Sequence, residues 1–385
     1  MLLSVIIVNY NVRYFLEQCL CSVEKAIGSL QSAPSEQQAQ VFVADNNSSD
    51  GSVEYLQDKY PFAKFIVNSE NVGFAKANNK ALQQATGKYI LFLNPDTIVP
   101  EDGFAKCIEF MEARHEAGAL GVYMIDGSGR YLQESKRGFP SAWVSFCKMS
   151  GLTGLFPGSK LFARYYLGHL SSQQTHEIDI LSGAFMLVRK ETLDKTGGFD
   201  EQFFMYGEDI DLSYRIQQSG YKNYYFPGCR IIHFKGESTR KDSRYIQLFH
   251  KAMIQFVQKH FSGTVSWFYT GLLKMAVWWK TKFRNREPGA GSRDLKGRGT
   301  VFICGDGKSM FEIRTCFSNK IITPEKEPAG EIIFCEGASY SFGKIIDEMQ
   351  LLPTGKRIFI HGQGTNSIVG SHSKNTQGDY VVVLH

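Results

Sequence analysis

The chain has 385 residues, 43% hydrophobic and 21% charged, an ordinary globular composition with room for one large core and a second small one. A net charge of +5 is too small an excess to argue for nucleic acid as a partner. Eight cysteines without paired CxxC spacing suggest neither a zinc site nor a disulfide framework, and reduced cytosolic thiols are the plain reading.

The N-terminus, "MLLSVIIVNYN", has no basic n-region and an apolar run too short for a signal peptide, so it reads as a first strand. "VRYFLEQCLCSVEKAI" has helical spacing, with Phe15, Cys19 and Val23 on one face. "AQVFVADN" reads as a strand, "SVEYLQDKY" as a short helix and "AKFIVNS" as a strand. "FAKANNKALQQA" follows as a helix stopped at Gly87, and "KYILFLN" as a strand. Apolar runs alternating with amphipathic helices predict an α/β fold with a mostly parallel sheet covered on both faces. Such sheets bind ligands outside the carboxyl ends of their strands. Asp45 and Asp96 both stand at such ends and should face one crevice.

Residues 120–178 hold aromatic and glycine-rich pieces and read as a variable cap over that crevice. "AFMLVR" and "CRIIHF" read as strands. Between them "DIDLSYRIQQ" reads as a helix with Gly220 just past its end. Residues 245–283 are helical in pattern, and Lys274 interrupts any apolar run long enough to span a membrane. Within 264–286, "WWKTKFRNR" fits a helix lying in the headgroup layer, which would place the chain on the inner face of the cell membrane. It fits a helix packed on the main domain about as well. "NREPGAGSRDLKGRG" is a linker. Four β-rich runs and the helix "SFGKIIDEMQ" then form a second, small α/β unit whose role the residues do not reveal. "CGDGKS" within it lacks the full phosphate-loop spacing and reads as a turn. The division is therefore 1–260, 261–298 and 299–385.

Three places could carry chemistry. Asp96, in "LNPDT", could hold a hard divalent cation together with substrate phosphates, or could be a turn aspartate after proline. Asp45, in "VADNNSSDGS", could accept a hydrogen bond from a pyrimidine ring or a ribose hydroxyl, while its loop caps the next helix. In "FFMYGEDIDLSYR", Glu208 and Asp209 lie at the positive end of a helix, which favours ionisation and so a general base. Asp211 and Arg215, spaced i,i+4, read as a surface pair. His233 ends a strand, where imidazole and carboxylate together would suit Mn²⁺ or Mg²⁺.

The ordered motifs "SVIIVNYN", "VADNNSSDGS", "NSENVGFAKANNKAL", "YILFLNPDT", "LSGAFMLVRKETLDKTGGFDEQFFMYGEDIDLSYR" and "IIHFKGES" resemble family 2 glycosyltransferases of GT-A fold, closest to their rhamnosyltransferase-like branch. The resemblance covers about residues 1–260. It implies inverting transfer from a nucleotide-diphosphate sugar, UDP- or dTDP-linked, to a glycan or lipid-linked acceptor in cell-surface polysaccharide synthesis. It implies Asp209 as catalytic base, and Asp96 and His233 as ligands to a divalent metal, Mg²⁺ or Mn²⁺. Asn94 stands where the family's D-x-D motif begins, which leaves Asp96 as that motif's one carboxylate. Substrate contacts implied are Asp45, Asn71, Gly73, Asn78, Gly183 and Glu208. The competing readings are a nucleotidyltransferase, whose glycine-rich loop is missing after the first strand, and a non-catalytic nucleotide-sugar-binding or scaffold protein.

Overall fold

A computed structural model describes residues 1–30, 38–149, 151–235, 243–261, 300–317, 321–323, 329–371 and 378–383. The interfacial reading of 264–286 and the linker before residue 300 lie outside the described residues.

The large sheet is built from β1 (Leu3–Asn9), β2 (Ala39–Asp45), β3 (Ala63–Val67), β4 (Tyr89–Leu93), β5 (Thr97–Ile98), β6 (Ala117–Ile125), β7 (His176–Ile178), β8 (Phe185–Arg189) and β9 (Lys222–His233). Its order is β3-β2-β1-β4-β8-β6-β9-β5, with β7 paired to β9. β1, β2, β3, β4, β6 and β9 run one way, and β5, β7 and β8 run the other. This is the mostly parallel α/β arrangement read from the alternating pattern. Every residue of β1, β4, β6 and β8 is buried, as strands sandwiched between helical layers must be.

Two features escaped the sequence pattern. β9 begins at Lys222, well before "CRIIHF", and runs through Pro227 and Gly228. Its register against β6 jumps between Val122↔Phe226 and Tyr123↔Arg230, so the proline sits in a bulge where no ladder bond is needed. β5 is only two residues long, and it pairs Thr97 with His233 at the end of β9.

Asp211 and Arg215 do pair, at 2.7 Å, but not on the surface. The Asp211 carboxylate is fully buried and also takes Lys259 at 2.8 Å and His260 at 2.7 Å. It ties the helix Ser243–His260 to the helix Glu208–Gln218. The i,i+4 spacing was legible, whereas the helix that covers it was not.

The C-terminal residues form a six-stranded sheet. Its strands are β10 (Thr300–Gly305), β11 (Ile321–Ile322), β12 (Glu331–Cys335), β13 (Arg357–His361), β14 (Ser367–Gly370) and β15 (Asp379–Val382). The order is β11-β10-β12-β13-β14-β15, parallel as far as β13 and antiparallel after it. "CGDGKS", read as a turn, runs from the end of β10 into the helix Gly307–Arg314. This sheet docks on the helix Arg13–Gly28. Buried Gln18 donates to Thr365 Oγ1 and the Ser367 carbonyl at 2.8 Å, and accepts from Gly362 N at 2.9 Å. Glu101 accepts from Phe342 N and Gly343 N, capping the helix Phe342–Leu351. Phe334, Phe342, Ile345 and Met349 join the same apolar core as Leu16 and Leu20.

Candidate active site

The sheet's chain reversal lies between β1 and β4, because β2 and β3 continue to one side and the remaining strands to the other. A crevice opens at the carboxyl ends of strands at such a point. Asn9, Asp45, Asn94 and Asp96 are delivered there by β1, β2 and β4. β8, running the other way, starts there with Ser182, Gly183 and Ala184 just before it, and Asn94 N donates to the Ala184 carbonyl at 3.0 Å.

Asp45 is buried at the end of β2. Its carboxylate accepts from Asn9 Nδ2 at 2.7 Å, Ser48 N at 2.9 Å and Ser48 Oγ at 2.6 Å. Asn11 N donates to Ser48 Oγ at 3.0 Å, and Asn11 Oδ1 accepts from Ser49 N at 2.7 Å. The two loops after β1 and β2 are therefore stitched together, with Asn11 and Asn47 in left-handed conformations that asparagine tolerates. In this state Asp45 holds the cradle, and Oδ2 accepts the Ser48 amide.

Asp96 is buried, and among the described residues its Oδ1 has no hydrogen-bond partner. That atom lies 3.4 Å from His233 Nε2, and Asn94 Nδ2 is also 3.4 Å from Nε2. The β5–β9 pairing creates this meeting, so two metal candidates far apart in the sequence are brought together. The pair fits a hard cation. Two ligands at right angles on an octahedral ion with bonds of about 2.1 Å lie about 3 Å apart, and a carboxylate left unsatisfied in a buried site calls for a positive partner. Among the described residues no group of three or more His, Cys, Asp or Glu is placed to hold a metal. The remaining positions would fall to phosphate oxygens and water, as Mg²⁺ commonly prefers.

Asp209 stands in the first turn of the helix Glu208–Gln218. Tyr206 and Gly207 before it both have positive φ, and a side chain at 207 would press on Phe203 and Ala252. This sharp turn aims the helix N-terminus at the crevice. Asp209 Oδ2 accepts from Arg137 Nη2 at 2.5 Å and from Gly183 N at 3.3 Å, and the side chain keeps 15% exposure, so a hydroxyl can reach it. Burial works against the Arg137 charge, and the Asp209 carboxylate more than restores it, so the guanidinium sits above its usual range. Glu208 next door is buried, with Oε2 unpartnered among the described residues, and burial followed by the Asp209 charge pushes its carboxyl up to about 8. The two adjacent carboxyls thus differ in character. Glu208 holds its proton at neutral pH, while Asp209 faces a fixed cation.

Gly183 abuts Asp209, since a Cβ there would be 3.6 Å from Asp209 Cβ. Gly73 has φ +88, and a Cβ would come within 2.6 Å of the Phe204 carbonyl, so it lets the loop before Asp209 close on the helix Phe74–Leu82. Asn71 accepts from Gly73 N at 3.0 Å, and buried Asn78 donates to the Phe74 carbonyl. In this structure these three shape the wall. Arg137 and Asn9 were missed by the sequence reading. Asn9 had a signal, a polar residue closing an apolar strand. Arg137 had none, lying in the irregular cap.

Residues 4–197 match the family described as Glycosyl transferase family 2. The chain is 26% identical over 294 residues, 73% of its length and 88% of the relative's, to the N-acetylglucosaminyl-diphospho-decaprenol L-rhamnosyltransferase of Mycobacterium tuberculosis. It is 30% identical over 175 residues, 44% of its length and 63% of the relative's, to the rhamnosyltransferase WbbL of Escherichia coli. Among solved structures, S. aureus TarS 1-349 in complex with UDP-GlcNAc aligns at TM-score 0.47 and 19% identity, covering 74% of this chain and 73% of that one. The family match spans half of the chain, and it coincides with the motifs that build the crevice. The chain belongs to glycosyl transferase family 2 and is a glycosyltransferase.

Proposed function

We propose that the chain performs inverting, metal-dependent transfer of a sugar from a UDP- or dTDP-linked donor, dTDP-rhamnose foremost, to a hydroxyl of a glycan or lipid-linked acceptor in cell-surface polysaccharide synthesis. The observation that carries this reading is the unsatisfied Asp96 Oδ1 beside His233 Nε2, on the same sheet edge as the Arg137-paired Asp209. The rhamnosyltransferase relatives support the sugar and the setting.

Asp96 and His233 would hold Mg²⁺ or Mn²⁺, and a cation bound there supplies charge stabilisation to the departing diphosphate. Asp209 takes the proton from the acceptor hydroxyl as its oxygen bonds to the anomeric carbon and the donor's bond to phosphate breaks. A single displacement inverts that carbon, by the logic of inverting glycoside hydrolysis with a sugar hydroxyl in place of water. Arg137 and the Gly183 amide hold the Asp209 carboxylate in place. Glu208, neutral, spares Asp209 a second negative neighbour. Residues 1–260 would carry out transfer, 261–298 would link, and 299–385 would buttress the helix Arg13–Gly28. The chain would work in the cytoplasm, at the inner face of the membrane.

The test is nucleotide-diphosphate release from UDP-, dTDP- and GDP-sugars with Mn²⁺, Mg²⁺ or chelator. Slow metal-dependent hydrolysis of one donor, lost in Asp96→Ala, is expected. The absence of both release and donor-induced thermal stabilisation with every donor would overturn the reading.

A further inference from the structure

The cap beside Asp209 has an unusual composition. Residues 136–176 contain five Lys or Arg, namely Lys136, Arg137, Lys148, Lys160 and Arg164, and no Asp or Glu. Elsewhere acids and bases are nearly balanced, at 38 and 43 over the whole chain. The same stretch holds a group of large apolar side chains that face outward. Leu155 is 73% exposed, Leu161 55%, Phe156 51% and Trp143 44%. Outside the cap the exposed large apolar side chains, Phe311 and Leu351 among them, come mostly from separate elements, with Tyr380 and Val382 sharing the edge strand β15, and isolated apolar side chains on a surface require no explanation.

The cap's apolar residues form one patch. Phe162 packs against Phe156, with ring centroids 5.4 Å apart, and against Trp143 at 6.2 Å. Trp143 Nε1 donates to the Leu161 carbonyl at 3.2 Å, and Thr153 Oγ1 to the Phe162 carbonyl at 2.8 Å. Exposed Lys160 and Arg164 flank Leu161. The patch is also tied to the base. Gly138 N donates to the Tyr165 carbonyl at 3.0 Å, and the preceding Arg137 holds Asp209.

An aromatic and aliphatic patch flanked by two exposed cations, Lys160 and Arg164, in a stretch of chain without a carboxylate, is complementary to an apolar layer beneath negative charges. We propose that Trp143, Leu155, Phe156, Lys160, Leu161 and Arg164 form a docking surface for an anionic phospholipid bilayer. Leu155, Phe156 and Leu161 enter the headgroup boundary, and Lys160 and Arg164 pair with lipid phosphates. The purpose of this surface, presenting a lipid-linked acceptor to Asp209, rests on the function proposed above. Its existence does not.

The full chain would be sedimented with phosphatidylcholine vesicles and with vesicles containing phosphatidylglycerol, at low and high salt. Binding to the anionic vesicles, weakened by salt, is expected. Leu155→Ser/Phe156→Ser/Leu161→Ser and, separately, Lys160→Glu/Arg164→Glu should each lower it on the order of tenfold or more. Both should melt as wild type does and keep donor hydrolysis. Wild-type failure to bind, or variants that bind as well as wild type, would overturn the proposal. So would a wild-type dimer that the apolar variant converts to monomer, since the patch would then cover a second copy. Vesicle binding without hydrolysis of any donor would sink the proposed function and leave this surface standing.

Discussion

Two sheets in this chain reverse their strand order in the same way, one between β1 and β4 and the other between β10 and β12. Each places an aspartate beyond a carboxyl end there, Asp96 in the first and Asp306 in the second. Asp96 keeps a buried oxygen without a partner. Asp306 keeps none. Its Oδ1 accepts from Lys308 N and Ser309 N, capping the helix Gly307–Arg314, and its Oδ2 accepts from Ser339 N and Oγ. The Ser339 hydroxyl heads the causes that hold its carboxyl below the usual range. Behind it, a side chain at Gly305 would strike the Cys335 carbonyl, and Ser309 Oγ donates to the Glu336 carbonyl. Lys25, from the other sheet's first helix, closes the rim through a 2.6 Å pair with Glu336. Around Asp306 the second crevice is closed by its own polar groups, while at the end of β13 His361 Nε2 and Glu312 Oε2, 3.6 Å apart, have no hydrogen-bond partner among the described residues. Topology offers a place for a ligand, and the partners of the strand-end aspartate differ between the two.

The comparison can be broken most forcefully at Asp209. Asp209→Asn should cut transfer by roughly 10²–10⁴-fold while donor-induced thermal stabilisation persists, as the base role proposed for Asp209 requires. Unchanged turnover would remove the base from the first crevice. Asp96→Ala should abolish the Mn²⁺-dependent rise in melting temperature and lower donor hydrolysis on the order of a hundredfold. Metal stabilisation equal to wild type would mean that the open oxygen is not a cation ligand.

Arg137→Gln should destabilise by about 3 kcal/mol, because it leaves Asp209 largely buried without its cation. It should also move the acid limb of the rate–pH profile upward. Arg137→Lys should recover much of both, and a rate–pH profile identical to wild type in Arg137→Gln would reduce Arg137 to a structural residue.

Glu208 offers a smaller test with a definite sign. Its carboxyl is raised from 4.5 to about 8, so the folded state binds more protons than the unfolded state between those values. Its stabilising share is complete below about 4.5 and is lost as pH rises through about 8. Urea denaturation from pH 5 to 9 should show a slope that Glu208→Gln flattens. A parallel slope in the variant would assign the proton elsewhere.

Asp306→Ala sharpens the contrast from the other side. It should lower the melting temperature modestly, with the loss vanishing at acid pH, where the native carboxylate is protonated anyway. Turnover per folded molecule should not change. A lost donor response would show that the second crevice is not merely structural.

Much of this was legible along the chain. Continuous apolar runs separated by amphipathic helices identify buried parallel strands, because only a sheet covered on both faces hides them. Asp45 and Asp96 after such runs, with Glu208 and Asp209 opening a helix, then point to one edge. The sequence alone determined the fold class, the family and the residues worth testing. Tertiary structure decided which of them meet. The two-residue β5 carries no periodic signal, yet it sets Asp96 against His233. Arg137 sits in a stretch without pattern, and only the cap's return past Asp209 makes it a partner. Asp211 follows the i,i+4 rule of a surface pair and is buried by a helix that arrives much later in the chain. Local pattern reports the environment one element needs, whereas long-range packing determines which polar atoms are covered, paired or left open.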